Sequence, residues 1–511
     1  MQKLLILDYG SQYTQLIARR IREFHVYSEV SAPDSPLDLE NVWGIILSGG
    51  PASVNDSNAP DLPPVFSQII KKKIPVLGIC YGFQLLAKRF GGVIAASNKQ
   101  EYGKCEFRVS KESPLFEGLP KHFLVWMSHG DSVIDLPSSF PMIGDSEEGG
   151  VSAAEYTEGP IYGIQFHPEV AHTHYGNQIL ENFLFQVCSF SDRWELQDYI
   201  MDTVSHLRKT IGDHSLVSGF SGGVDSSVAS VLTHRAVGKQ LTNILIDTGF
   251  LRKNEAKEVN RVFSDSFQME IRTVDAKGEF FQALKGVVDP EIKRKRIGET
   301  FIRVFEREAK KIPNHRFLVQ GTIYSDVIES AHSNLGNASQ IKSHHNVGGL
   351  PNQMSLELIE PIRYLFKDEV RKVGAFLKIP ESMLQRHPFP GPGLAIRCLG
   401  EVTEEKIRIL QNADALFLET LREMNWYDQT WQAFSVLLNS KSVGVVGDKR
   451  TYGYTLALRG VNSIEGMTAD WTRFPYDLLD RASRRITNQI PEINRVVYDI
   501  TSKPPGTIEW E

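Results

Sequence analysis

Two stretches of this sequence combine residue types and spacings that suit covalent chemistry. The first is Gly78-Ile79-Cys80-Tyr81-Gly82, which follows the apolar run at residues 74–79 and precedes Phe83, Leu86, Ala87 and Phe90 at helical spacing. A cysteine flanked by glycines at a strand-to-helix turn is a nucleophile elbow: small neighbours permit strained dihedrals, and a helix N-terminus favours thiolate. Gly91-Gly92 supplies the stop for the predicted helix. Farther along, Gly163-Ile164-Gln165-Phe166-His167-Pro168-Glu169 puts an imidazole and a carboxylate two positions apart, on one side of an extended chain. Pro168 biases His167 toward that extended geometry. Alone, each residue fits an ordinary structural role. With Cys80 they complete a Cys-His-Glu set in which His167 accepts the thiol proton and Glu169 orients the ring.

The second stretch is Ser221-Gly222-Gly223-Val224-Asp225-Ser226-Ser227, between a predicted strand at 215–220 and an apolar helix expected to begin at Val228. A glycine-rich loop between strand and helix exposes backbone N–H donors to phosphate, and Ser226 and Ser227 add hydroxyls. No lysine follows the glycines, so the loop lacks the usual Walker arrangement. An aspartate inside a phosphate nest needs a cation to offset repulsion, so Asp225 implies Mg²⁺.

These motifs need rigid elements behind them. Apolar strands at 4–7, 43–47, 76–79 and 161–166 alternate with helical stretches, the pattern of an α/β sheet. A polar helix at 192–210 leads to a second set of strands at 215–220, 243–246 and 316–319, again with helices between them. His387-Pro388-Phe389-Pro390-Gly391-Pro392-Gly393 excludes regular structure and marks a junction into a third part.

The composition excludes several classes. A chain of 511 residues exceeds one hydrophobic core, and 41% hydrophobic with 23% charged residues fits folded domains. A net charge of -6 offers no general field for nucleic acid or an anionic membrane. No apolar run is long enough to span a bilayer, so a cytoplasmic protein is expected. The four cysteines, Cys80, Cys105, Cys188 and Cys398, are widely spaced without a CxxC pair, which indicates neither zinc nor a disulfide framework.

The first 190 residues resemble the class I glutamine amidotransferases, through the triad, Asp8-Tyr9-Gly10-Ser11-Gln12-Tyr13 and Leu47-Ser48-Gly49-Gly50-Pro51. That resemblance implies a glutamyl thioester on Cys80, ammonia release, and an oxyanion site at the N–H groups of Gly50 and Tyr81. The phosphate loop resembles the SGGxDS motif of the N-type ATP pyrophosphatases, as do Ile246-Asp247-Thr248-Gly249 and Gln320-Gly321-Thr322-Ile323-Tyr324-Ser325-Asp326. Those enzymes split ATP between the α and β phosphates. Ile341-Lys342-Ser343-His344-His345-Asn346-Val347-Gly348-Gly349, Arg386 through Gly393, and Lys503-Pro504-Pro505-Gly506-Thr507-Ile508-Glu509-Trp510-Glu511 extend the likeness to the GMP synthetase family over the whole chain.

The family likeness implies an α/β multidomain fold. Residues 1–190 would form an open α/β amidotransferase domain, 191–385 a Rossmann-like adenine nucleotide alpha hydrolase (PP-loop) domain, and 386–511 a small α+β dimerisation and XMP-binding domain. ATP, a co-substrate, would bind at Ser221 to Ser227 with Ile246, Gly249, Gly321, Thr322 and Lys367. XMP would use Arg294, Gln432, Arg495, Lys503, Ile508 and Glu509, while Lys342, His344 and His345 would sit on a lid. The implied reaction adenylates XMP and aminates it to GMP with ammonia from glutamine, releasing AMP, pyrophosphate and glutamate, in a homodimer. Two departures from the family stand out: Thr248-Gly249-Phe250 in place of Asn-Gly-Leu, and Arg296 in place of Ile. Alternatives are another glutamine-fed PP-loop ligase such as an NAD synthetase, disfavoured by the triad-type domain and the closing KPPGTIEWE, and a regulatory nucleotide-binding protein, disfavoured by the intact Cys80, His167, Glu169 and Asp225.

Overall fold

Strands buried on both faces need unbroken apolar runs, and the first part of the chain supplies them. The computed structural model describes residues 2–147, 150–327, 356–446, 448–463 and 468–511. They divide into two compact units, with the boundary between Asp198 and Tyr199. The first contains β1 (Lys3–Leu7), β2 (Ser28–Ser31), β3 (Val42–Leu47), β4 (Val76–Ile79), β5 (Val93–Val109), β6 (His122–Asp135), β7 (Met142–Ser146), β8 (Val151–Glu155) and β9 (Ile161–Ile164). Its helices are α1 (Thr14–Glu23), α2 (Phe66–Lys71), α3 (Tyr81–Phe90) and α4 (Gly176–Asn182).

One sheet runs β2-β1-β3-β4-β9-β8-β6-β5-β7. Its first five strands pair parallel, and the rest join antiparallel. β4 and β9 pair with Gly78 opposite Gly163 and Ile79 opposite Ile164, so both strands end side by side. The strand expected at 161–166 stops at Ile164, because the chain turns away to other partners: Gln165 N–H donates to Ser152 O at 2.9 Å and His167 N–H to Trp126 O at 3.1 Å. Helix α3 ends at Gly91 in the left-handed conformation at φ 95°, as the glycine pair requires. It is buried on all sides over its first seven residues rather than along one stripe.

The boundary crosses α5 (Leu196–Ile211), the helix expected at 192–210. The second unit continues with β10 (Ser215–Gly219), α6 (Val224–Val237), β11 (Leu241–Asp247), α7 (Glu255–Phe267), β12 (Ile271–Asp275), α8 (Lys277–Leu284), α9 (Pro290–Ala309), β13 (His315–Val319) and β14 (Glu357–Ile359). These strands form a fully parallel sheet, β12-β11-β10-β13-β14. The strand order reverses between β10 and β13, and open α/β sheets bind ligands beside the carboxyl ends at such a switch. Helix α6 starts at Val224, a turn before the expected Val228, so Asp225, Ser226 and Ser227 lie in its first turn.

After α10 (Lys367–Phe376), α11 (Glu381–Leu384) and α12 (Glu404–Glu423) come β15 (Gln432–Val446), β16 (Lys449–Asn462), β17 (Asp470–Trp471), α13 (Tyr476–Gln489) and β18 (Ile493–Asp499). β16 pairs antiparallel with β15 and β17 and parallel with β18. One apolar core runs through both sheets of this unit, from Val217 and Ile244 to Leu456 and Leu458. The Pro- and Gly-rich segment from His387 is irregular but packed rather than a free linker. Its His387 ring stacks on Tyr427 with centroids 3.9 Å apart, and burial pushes that imidazole down to about 4. Among the described residues no helix is long and apolar enough to cross a membrane.

Gly163 tests the β4/β9 packing, since an added Cβ would lie 2.0 Å from the ring of the wholly buried Phe83. Gly163→Ala is expected to destabilise the chain by about 1–3 kcal/mol through overpacking. Urea unfolding checks this, and Phe83→Leu in the same chain should recover part of the loss.

Candidate active site

The elbow holds Cys80 where a side chain rarely goes, at φ 52° and ψ -106°, between the end of β4 and the start of α3. Such a conformation costs on the order of 1–3 kcal/mol and persists only when its surroundings over-determine it. Here Cys80 N–H donates to Ile164 O at 2.8 Å, and Gly82 N–H to Ser48 O at 3.1 Å. Neither glycine tolerates a side chain: a Cβ on Gly78 would lie 2.6 Å from Gly82 O, and one on Gly82 would lie 2.4 Å from Leu47 O. The thiol is buried, with Sγ 3.7 Å from Ser128 O and accepting from Gln165 Nε2 at 3.7 Å.

His167 and Glu169 are likewise buried, and His167 Nδ1 donates to Glu169 Oε1 at 2.8 Å. Thr173 Oγ1 donates to His167 O at 2.6 Å, and the edge of the Tyr13 ring packs on the imidazole at 5.0 Å. Burial alone would push the His167 pKa down. The Glu169 charge and the hydrogen bonds with Cys80 and Glu169 outweigh it and leave the imidazole well above its ordinary value. A protonated ring beside the sulfur is the partner a thiolate needs. Gly50 sits against this elbow, where a Cβ would lie 2.7 Å from Tyr9 O. Among the described residues the N–H groups of Gly50 and Tyr81 have no backbone acceptor, so both remain able to serve an oxyanion.

In the second unit the phosphate loop follows β10. Gly222 takes φ +72°, and a Cβ there would meet Val259 at 2.4 Å. Gly223 N–H donates to Ser221 Oγ at 3.2 Å, and Ser221 Oγ and Ser226 Oγ lie 2.9 Å apart. Ser227 Oγ is buried, with no hydrogen-bond partner among the described residues. Gly321 lies against the start of α6, with space for a Cβ only 2.9 Å from Ser226 N, and Thr322 Oγ1 donates to Glu360 at 2.6 Å. Lys367, the first residue of α10, places Nζ 2.6 and 2.7 Å from the two Asp225 oxygens. Ile246 is buried near the end of β11, and Gly249 follows at φ +83° with its N–H donating to Asp247 Oδ1 at 3.0 Å. Thr248 Oγ1 accepts from Phe250 N–H at 3.1 Å, so threonine supplies the local turn bond in place of asparagine.

A third cluster gathers Arg294, Gln432, Ile508 and Glu509. Gln432 Nε2 donates to Glu509 Oε1 at 2.9 Å, and Arg294 Nη2 donates to the backbone oxygen of Glu511. Burial holds the Arg294 guanidinium below its ordinary value, against the pull of Glu291, Glu509 and Glu511. Arg296 donates to Ala283 O at 2.9 Å and takes no part in the hydrogen bonds of this cluster. Arg495 is exposed on β18, outside the hydrogen bonds of this cluster, and Lys503 pairs through its backbone with Ala469. Lys342, His344 and His345 lie outside the described residues.

Sequence reasoning missed Lys293, Arg397 and Arg459, all buried in this cluster. Arg397 grips Glu509 with two bonds of 2.9 and 2.8 Å, and its guanidinium lies over the Phe434 ring at 4.0 Å. The available signal was a charge inside an apolar run: Leu394-Ala395-Ile396-Arg397-Cys398-Leu399 and Leu456-Ala457-Leu458-Arg459-Gly460-Val461. A cation in such a run is buried only with a partner.

Comparison with known proteins adds three family matches. The family described as "Glutamine amidotransferase class-I" matches residues 5–187, "NAD synthase" matches 195–303, and "GMP synthase C terminal domain" matches 419–510. A protein of Thermotoga sp. (strain RQ2) is 57% identical over 509 residues, which is 99% of this chain and 100% of that one. Those of Petrotoga mobilis and Aquifex aeolicus are each 53% identical over 511 residues, covering 100% and 99% of this chain and 100% and 99% of their own. All three relatives are described as GMP synthase (glutamine-hydrolyzing).

The His167 environment makes a pH prediction. Because the Glu169 charge raises the imidazole pKa, Glu169→Gln should lower it, so His167 becomes neutral at a lower pH. Cys80 then loses its cationic neighbour, and alkylation by iodoacetamide at neutral pH is expected to slow about tenfold or more. The pH profile of the alkylation rate is the measurement.

Proposed function

Since the chain belongs to the family of glutamine-hydrolysing GMP synthases, at 57% identity over 99% of its length, we propose that it performs that family's reaction through the three clusters just described. It is a ligase that aminates XMP to GMP with ATP and with ammonia drawn from glutamine. The observation that carries the first half is the buried Cys80, His167 and Glu169 set at the joined ends of β4 and β9. Cys80 attacks the glutamine amide carbon, and His167 gives its proton to the leaving ammonia. The N–H groups of Gly50 and Tyr81 hold the oxyanion, after which water releases glutamate from the thioester. Glu169 keeps the imidazole in the tautomer that can act on sulfur.

For the second half, ATP lies along Ser221 to Ser227 with its adenine toward Ile246 and Gly249, beside Gly321 and Thr322. The N–H groups at the start of α6 face the phosphates, and Lys367 moves its charge from Asp225 to the phosphate oxygens. The lone Asp225 carboxylate, paired with a single ammonium, suits an ion that takes one carboxylate together with phosphates and water. Among the described residues no group of three His, Cys, Asp or Glu side chains could hold a metal alone. Mg²⁺ held by Asp225 would neutralise charge on the departing pyrophosphate. XMP, held by Arg294, Gln432, Arg495, Lys503, Ile508 and Glu509, takes the adenylyl group on its O2, and ammonia then displaces AMP. The arginines and the lysine supply the cations a monophosphate needs.

The same reading divides the chain at residues 190 and 385, makes the third part a dimerisation and XMP-binding domain, and places the protein in the cytoplasm. Light scattering of the purified chain should return twice the monomer mass.

Separating the nitrogen source from synthesis tests the assignment. Cys80→Ala should abolish GMP formation from glutamine but keep the rate with ammonium salt near that of the unaltered chain. Asp225→Ala should lower both by about a hundredfold or more, a range known for loss of one preorganised electrostatic group. Formation of AMP and pyrophosphate, followed with each nitrogen source, reports the outcome, and glutamine-driven synthesis by Cys80→Ala would refute the triad.

A further inference from the structure

The segment Thr507 to Glu511 is gripped from below by three cations that no aqueous surface shares. Lys293, Arg397 and Arg459 are at most 1% exposed, yet all three donate to this short stretch. Arg459 donates to Ile508 O and to Thr507 O, each at 2.9 Å, and pairs with Asp499 at 2.6 Å. Arg397 takes both oxygens of Glu509. Lys293 Nζ donates to Cys398 O at 2.9 Å, to Ala395 O at 3.5 Å and to the Glu511 carboxylate. The other Glu511 oxygen accepts from Gly400 N–H at 3.3 Å.

From this arrangement we infer that Glu511, clamped by Lys293, is a positioning residue for XMP: it docks the segment that carries Ile508 and Glu509. The inference rests on the assignment of those two residues, with Arg294 and Gln432, to the nucleotide. Lys293 is neighbour to Arg294 on α9, but its side chain turns inward. Two carbonyls satisfy two of its three N–H groups, and Glu511 supplies its counter-charge. When the segment lifts away, the ammonium is left buried against carbonyls alone, a state far costlier than the pair. Lys293 also joins three pieces that must agree in position: α9 with Arg294, the turn Gly393–Arg397 with Arg397, and the segment with Glu509. Trp510 is exposed and bonds at the surface to Asp499, whereas the Glu511 side chain is held inward on Lys293.

A docking residue acts through the fraction of chains competent to bind, so its loss raises apparent KM and leaves kcat at saturation in place. The test is ammonium-driven synthesis by the full chain carrying Glu511→Gln, Glu511→Asp or Lys293→Met, with thermal unfolding as a check of folding. For Glu511→Gln and Lys293→Met the expected result is a KM for XMP raised about tenfold or more, with kcat and the KM for ATP within about twofold. Glu511→Asp, which keeps the charge on a shorter stem, should fall between these and the unaltered chain. Unchanged KM for XMP in the folded variants overturns the inference, as does a fall in kcat with KM unmoved. Should Lys293→Met fail to fold, the isosteric Glu511→Gln decides alone. Glu509→Ala separates the two levels. If it leaves XMP affinity unaltered, the nucleotide assignment and this inference fall together. If it weakens XMP while Glu511→Gln does not, the inference alone falls.

Discussion

Parallel strands that pair in register end together, and a helix must then carry the chain back across the sheet. In both α/β sheets of this protein that constraint gathers the reactive groups. β4 and β9 stop at Ile79 and Ile164, so the next residues on each strand face one another, and the thiol and the imidazole come within reach although 87 positions separate Cys80 from His167. The close approach needs side chains absent from both the strands and α3 where they cross. Gly78, Gly82 and Gly163 meet that need, and the Phe83 ring fills the space over Gly163. The strain at Cys80 follows from the same packing, which leaves the elbow no relaxed alternative.

The phosphate loop uses the identical device for a different end. β10 and β13 are neighbours at the point where strand order reverses, so the loop before α6 and Gly321 after β13 share one crevice. At the thiol site, burial excludes water and the local charge is balanced internally, by Glu169 against His167. At the glycine-rich loop, Asp225 and Lys367 remain partly exposed, so solvent screens their pair and it holds the two side chains only weakly. The charged groups of the first site are enclosed, and those of the second reach solvent.

Charge burial in the C-terminal part obeys the same logic. Arg252 is largely covered beside the buried Asp414, with Nε and Oδ2 3.9 Å apart. Burial lowers the guanidinium pKa and raises that of the carboxyl, while each group partly restrains the other. Arg252 and Arg397 both lie over the Phe389 ring, at 4.5 and 5.2 Å, which lets two like charges approach across an aromatic face. The segment from His387 is thus a packed wall between groups of the parallel sheet and groups of the last sheet. Its proline and glycine content marked an irregular stretch correctly, but said nothing of what it would pack against.

Local chemistry was readable from the chain alone wherever nearest neighbours decide the backbone. The cysteine between glycines and the glycine-rich loop between strand and helix took the predicted local form, whereas the imidazole and carboxylate lie past the end of β9, where the chain bends at Gln165 and turns at Pro168 and Glu169 instead of staying extended. Strand and helix positions agreed to within a few residues, and the misses came at ends, where tertiary hydrogen bonds win: β9 gave up Gln165 and Phe166 to reach β8 and β6, and α6 gained a turn. Only the tertiary structure decided which buried charges pair. Lys293 with Glu511, Arg397 with Glu509 and Arg459 with Asp499 join residues 218, 112 and 40 positions apart. An ion's preference for a counter-ion carries no address in the sequence. The fold supplies it, by deciding which cation and which carboxylate leave water together.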